Sequence, residues 1–93
     1  MSVPANGYRI EVAQDARRQL HKLDHQCVRR VLIELGRLQA EPRPPGCRAM
    51  VGQKDRWRIR VSGAGDYRLV YEIPDDQVLV LVVTIAHRRD VYR

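Results

Sequence analysis

The residues best equipped for chemistry in this chain are cations, most of them arginines set two apart. Arg56, Arg58 and Arg60 alternate with Trp57, Ile59 and Val61 in RWRIRV, and Arg68 lies inside GDYRLVY. The chain closes on HRRDVYR, which holds His87, Arg88, Arg89, Tyr92 and Arg93. A guanidinium grips phosphate through a planar fork and stays charged at every physiological pH. An imidazole titrates near neutrality, and a phenol stacks or donates a hydrogen bond. This inventory suits cleavage of a phosphodiester in RNA. That reaction needs a base for the 2′-hydroxyl proton, positive charge for the crowded phosphorane, and an acid for the leaving 5′-oxygen. DNA lacks the internal nucleophile, so the same patch would hold DNA without cutting it by this route.

For these groups to meet, the chain must place two strands and a strand end side by side. RWRIRV and GDYRLVY alternate at period two and are joined by SGAG, which predicts a hairpin with its second strand over about Asp66 to Ile73. One face of the first strand carries Trp57, Ile59 and Val61, and the other carries Arg56, Arg58 and Arg60. Trp57 is the expected anchor of the core, and Tyr67 and Tyr71 share a parity that makes them core or sheet-edge residues. A Pro74-Asp75-Asp76 turn leads to QVLVLVVTIA, which is apolar at both parities and therefore belongs in the sheet interior or is covered on both faces. The end of that strand would bring His87, Arg88 and Tyr92 beside the basic face of the hairpin.

Upstream, Tyr8, Ile10 and Val12 alternate against Arg9 and Glu11 as a first strand. Asp15 is the expected N-cap of a short helix with Ala16, Leu20 and Leu23 on one side, breaking near Leu23-Asp24-His25. A second helix follows from Val28, Val31, Leu32, Leu35 and Leu38, with Arg29, Arg30, Glu34 and Arg37 on its other positions and Gly36 as a blemish. EPRPPG, residues 41–46, ends it because proline lacks the amide proton and forces its predecessor extended. Residues 47–55 read as irregular. The order strand, helix, helix, three-stranded antiparallel meander is that of an α+β domain, with the helical hairpin on one sheet face and the arginines on the other.

The totals narrow the classes further. Ninety-three residues make one expected domain, 1–93, with 1–7 as a loose lead-in. Seventeen Lys and Arg, fifteen of them Arg, against eleven Asp and Glu give +6, which leans toward a polyanionic partner. Cys27 and Cys47 form no CxxC, and His21 and His25 are split by the helix break, so no metal or disulfide framework is expected. No Gly-rich phosphate loop, HExxH or GxSxG is present. The longest apolar run, Val78 to Ile85, is far short of a membrane span, and a cytoplasmic protein without cofactor is the default expectation.

In this element order, GDYRLVYEI, an acidic turn, an apolar strand and HRRDVYR together resemble the RelE/ParE superfamily of bacterial toxins on its RelE side, over Tyr8 to Arg93. The resemblance implies the toxin of a type II toxin–antitoxin pair. Its expected activity is metal-independent, ribosome-dependent endoribonuclease cleavage of mRNA in the ribosomal A site, which inhibits translation, and its expected partners are a RelB-like antitoxin, the ribosome and mRNA. It assigns phosphate binding, charge stabilisation and nucleotide orientation to Arg58, Arg60, Arg68, Arg88 and Tyr92. The best-known RelE pattern has lysines where Arg58 and Arg60 stand. Arginine holds its proton, so these two are expected to clamp charge, and His87 becomes the candidate base or acid. Lys54, Arg56, Arg89 and Arg93 are candidate contacts to the RNA backbone. Because the sequence ends at Arg93 straight after the motif, no long C-terminal helix is expected, nor an antitoxin that acts by displacing one. Two other readings compete: a ParE-like poison of DNA gyrase, whose branch generally lacks the full basic and aromatic set, and an RNA-binding module without catalysis.

Overall fold

The computed structural model describes residues 7–63, 65–74 and 77–87. Along the chain run β1 (Arg9–Val12), α1 (Gln14–His21), α2 (His25–Ala40), β2 (Arg48–Ala49), β3 (Arg56–Arg60), β4 (Tyr67–Glu72) and β5 (Leu79–His87). They form a five-stranded mixed sheet in the order β1-β5-β4-β3-β2, with β1 parallel to β5 and every other pairing antiparallel. Two helices pack on one face, and the α+β architecture is the one read from the sequence. The two-residue β2, opposite Trp57 and Arg58, falls in the stretch expected to be irregular. It is too short for any periodicity to announce it.

The helices begin where backbone donors find partners. The cap of α1 is Ala13, not Asp15: Ala13 is extended (φ −64°, ψ 158°), while Asp15 sits in the first turn and pairs with Arg18 at 3.6 Å. There the carboxylate still complements the positive end of the helix. The break at Leu23-Asp24-His25 is as expected, and Asp24 restarts the chain as the N-cap of α2, its carboxylate accepting from the Cys27 N–H at 2.8 Å.

Ala16, Val31, Leu35 and Leu38 of the helices meet Ile59, Val61, Leu69, Tyr71, Ile73, Val80, Val82 and Ile85 of the sheet in one core. On α2 the inward arc differs from the expected one. Glu34 is buried at 2% exposure, whereas Leu32 is 53% exposed. Positions 31, 34, 35 and 38 share a helical face, and Leu32 lies about 100° around from Val31. Glu34 is satisfied in part by Arg37, 3.2 Å from Oε2, and by the Ser62 N–H, 3.4 Å from Oε1.

The last strand carries a β-bulge. Val70 pairs with Thr84 but Tyr71 pairs with Val82, which leaves Val83 as the extra residue. The bulge explains why β5 is apolar at both parities. Val80, Val82 and Ile85 all face the core although Val82 and Ile85 are an odd number of residues apart. β5 is also flanked by β1 and β4, the interior position expected of it.

Candidate nucleic-acid interface on the open sheet face

Cross-strand register fixes which arginines come together. Arg60 stands directly opposite Arg68, and Arg58 stands opposite Val70 on one side and Arg48 on the other. All four belong to the sheet face away from the helices, because Trp57, Ile59, Leu69 and Tyr71 occupy the core face. Gly46, Arg48, Arg58, Arg60 and Arg68 line a shallow hollow of about 200 Å³. Four like charges on one face repel across strands, and each opposed pair costs a few tenths to about 1 kcal/mol. Part of the Arg68 guanidinium is also held out of water: its Nη1 is buried and makes no hydrogen bond among the described residues. A buried donor of this kind is costly until an acceptor arrives. An anion in the hollow would relieve the repulsion among these guanidinium groups.

The neighbouring elements hold this face in shape from behind. Tyr71 is fully buried and its hydroxyl donates to the Pro42 carbonyl at 2.8 Å, tying β4 to the proline-rich connection. Burial lifts the Tyr71 phenol well above its ordinary range, with Cys47 as the next cause. Trp57 packs against the core as expected, with the Arg43 guanidinium 5.1 Å from the ring centroid on its outer side. Gly63, in the turn between β3 and β4, has φ +79°, and a Cβ there would lie 2.9 Å from Nε of Arg30. Only glycine gives that turn both its backbone angle and its clearance.

The expected site residues do not all meet. Arg58, Arg60 and Arg68 do, and Arg48 joins them although nothing in its surroundings in the sequence marked it, since only the short β2 brings it opposite Arg58. His87 does not share their face. It pairs with Tyr67, makes an edge-on ring contact with it at 5.6 Å, and lies with Nε2 3.9 Å from Oδ2 of Asp66. The residue on the arginine side is Ala86, opposite Arg68. The physical reason is the bulge: counting alternately from Val80 and Val82 puts His87 among the arginines, and the extra residue turns it to the helix side.

Arg56, expected on RNA, shares the parity of Arg58 and Arg60 but lies at the other end of β3. Its guanidinium is committed to Glu72 through both Nε, at 3.0 Å, and Nη2, and to Gln53 at 2.8 Å. Lys54 is exposed on the turn before β3, about 20 Å of extended chain from Arg60. Arg88, Arg89, Tyr92 and Arg93 lie outside the described residues. Among the described residues no group of three or more His, Cys, Asp and Glu side chains could hold a metal ion, and no helix is long and apolar enough to cross a membrane.

Comparison with known proteins decides the family. A sequence model described as the ParE toxin of the type II toxin–antitoxin system, parDE, matches residues 10–92. The chain belongs to the RelE/ParE superfamily of type II toxins. It is 33% identical over 90 residues to Toxin RelG of Mycobacterium tuberculosis, covering 92% of this chain and 97% of that protein. It is 30% identical over 87 residues to a RelE-like toxin protein of Escherichia coli, covering 91% of this chain and 90% of the other. Among solved structures, the isolated E. coli RelE toxin superposes with a TM-score of 0.75 at 25% identity over 91% of this chain and 90% of RelE. A chain of the intact E. coli RelBE toxin–antitoxin complex gives 0.74 at 25% identity, over 86% and 95% of the two chains. In this RelE/ParE toxin the arginine hollow lies on the open sheet face, away from the helices.

Proposed function

We propose that this toxin is a RelE-like endoribonuclease that cleaves mRNA in the ribosomal A site by attack of a 2′-hydroxyl on the adjacent phosphate. The observation that carries the reading is the hollow on which Arg48, Arg58, Arg60 and Arg68 converge, with part of the Arg68 guanidinium held out of water. Donors fixed beforehand and partly desolvated stabilise a developing phosphorane better than mobile surface cations do. In this reading the arginines, Arg88 with them, bind the scissile phosphate and its developing charge, Tyr92 orients the nucleotide, and no metal takes part. His87, turned to the helix side, holds the end of β5 through Tyr67 and Asp66. The 2′-hydroxyl gives its proton to a group of the RNA or the ribosome, and the leaving 5′-oxygen takes one from solvent. The antitoxin partner follows the same resemblance and is supported by the RelBE complexes that share the fold.

The test is to induce the chain in a bacterium and map transcript ends. Codon-phased cuts in translated messages that vanish with Arg68→Ala are the expected result. Growth arrest without such cuts would overturn the proposal. A ParE-like reading is supported by the match of residues 10–92 to the ParE toxin family. It predicts induction of the DNA damage response before translation falls, and the same induction experiment separates the two by which event comes first.

A further inference from the structure

Glu34 is a charged side chain that α2 carries into the core, at 2% exposure, and packing does not account for it. A carboxylate taken out of water is costly, and an apolar side chain of similar volume in its place is often as stable or more so. Its compensation is thin. Arg37 Nη1 lies 3.2 Å from Oε2, yet that oxygen is buried and makes no hydrogen bond among the described residues, and Arg37 itself is half exposed.

What the carboxylate does reach is the turn between β3 and β4. Past β3, the Val61 N–H donates to the Tyr67 carbonyl at 3.0 Å, and the next amide, that of Ser62, donates to Glu34 Oε1 at 3.4 Å. One helical turn away on α2, Arg30 lies against Gly63, whose missing side chain lets the turn sit close. The turn is therefore seated on α2 at two points. Within it the Nε of Arg60 donates to the Gly65 carbonyl at 3.4 Å. Arg60 stands opposite Arg68, and two like charges in register push this end of the hairpin apart. A tie from the helix layer opposes that push two residues beyond the pair.

We propose that Glu34 is a positioning residue for the arginine hollow: from α2 it holds the Ser62 amide, and with it the turn that keeps Arg60 in line with Arg68. The inference rests on the endoribonuclease reading and adds a residue of the helix side to the frame of its site. Glu34 touches no RNA. Its effect falls on the transition state, because a guanidinium displaced from the developing phosphorane costs rate while the other cations of the hollow keep the affinity.

The experiment compares Glu34→Met, which fills the same space without an acceptor, with Glu34→Gln, which keeps an acceptor for the Ser62 N–H. Glu34→Met is expected to melt at or above the unsubstituted chain, since the half-exposed Arg37 regains water. On ribosomes holding a defined codon in the A site, its kcat should fall about tenfold or more with KM within about threefold, and Glu34→Gln should recover most of the loss. In proton–nitrogen correlation spectra the Ser62 amide and Arg60 Nε–H signals should move in Glu34→Met and hold in Glu34→Gln. A folded Glu34→Met chain that cleaves at the unsubstituted rate overturns the proposal, as does an equal loss in Glu34→Gln. If neither Glu34→Met nor Glu34→Leu folds, Glu34 is structural and the proposal falls. If the unsubstituted chain does not cleave, the endoribonuclease reading falls instead, and the two signals decide the positioning: unmoved in Glu34→Met, they overturn it.

Discussion

Arg60 of β3 and Arg68 of β4 face each other as a direct cross-strand pair on the open side of the sheet, and Arg48 and Arg58 repeat the arrangement one row away. Like charges in such a pair work against the hairpin that carries them. Arg68→Ala is therefore expected to abolish RNA cleavage, with about 100-fold or greater loss of rate, while the melting temperature stays level or rises. Arg48→Ala should weaken RNA binding about tenfold and flatten its salt dependence by about 0.7 in the log–log slope, the contribution of one phosphate contact on a single strand. A large fall in melting temperature for Arg68→Ala would mean that the arginine is structural.

His87 provides the sharpest test of where the proton goes. Its ring lies against Tyr67, across the sheet from the arginines. His87→Ala should lower cleavage only a few-fold, through looser packing of the end of β5, and His87→Gln should recover part of that loss. A drop of 100-fold or more in single-turnover rate, with RNA binding unchanged, would return the role of base to this histidine.

The Arg56–Glu72 ion pair is half-buried, with the side chains 34% and 29% exposed. It sits between β3 and β4 at the end remote from the hollow. Arg56→Ala is expected to destabilise the fold by about 1 kcal/mol, read from denaturant midpoints, without altering cleavage beyond the effect of that instability. Loss of RNA affinity at full folding would instead place Arg56 on the nucleic acid.

Two groups add a pH dependence to stability. The Cys27 backbone N–H bonded to Asp24 holds that carboxyl below its ordinary range, so its contribution is present above the unfolded-state pKa and is lost as pH falls through the folded one. Asp24→Asn should keep the cap and remove this part of the acid limb, whereas Asp24→Ala should lower the melting temperature by a few degrees at neutral pH. Tyr71 is displaced the other way, mainly by burial. Its neutral form is favoured by folding, so its contribution is intact below about pH 10, the ordinary phenol value, and declines above it. Tyr71→Phe should remove this decline and cost about 1 kcal/mol by stranding the Pro42 carbonyl.

Most of the frame was legible from periodicity. The hairpin, the helix break, the proline-terminated α2 and the interior position of β5 each rest on a local pattern that the tertiary structure respects. What escaped was set by distant contacts. Arg48 gained its place through a two-residue strand that exists only because β3 is beside it. Glu34 went inward and Leu32 outward because the helical angle, not polarity, decided which arc met the sheet, and Arg37 and Ser62 made the buried carboxylate tolerable. Arg56 has the parity of a ligand-binding arginine, and only the register opposite Glu72 reveals its partner.

Deleting Val83 would restore simple alternation between Val82 and Thr84 and leave Ile85, now 1% exposed, in the core and His87 on its present face. The bulge therefore sets the strand's local bend and twist, while the pairing of Leu69 with Ile85 and of Arg68 with Ala86 fixes which side chains its end presents to the arginines. A lineage cannot acquire a histidine base here by a one-residue deletion, and new chemistry at the open face must come from substitution at positions such as Ala86 that already point there.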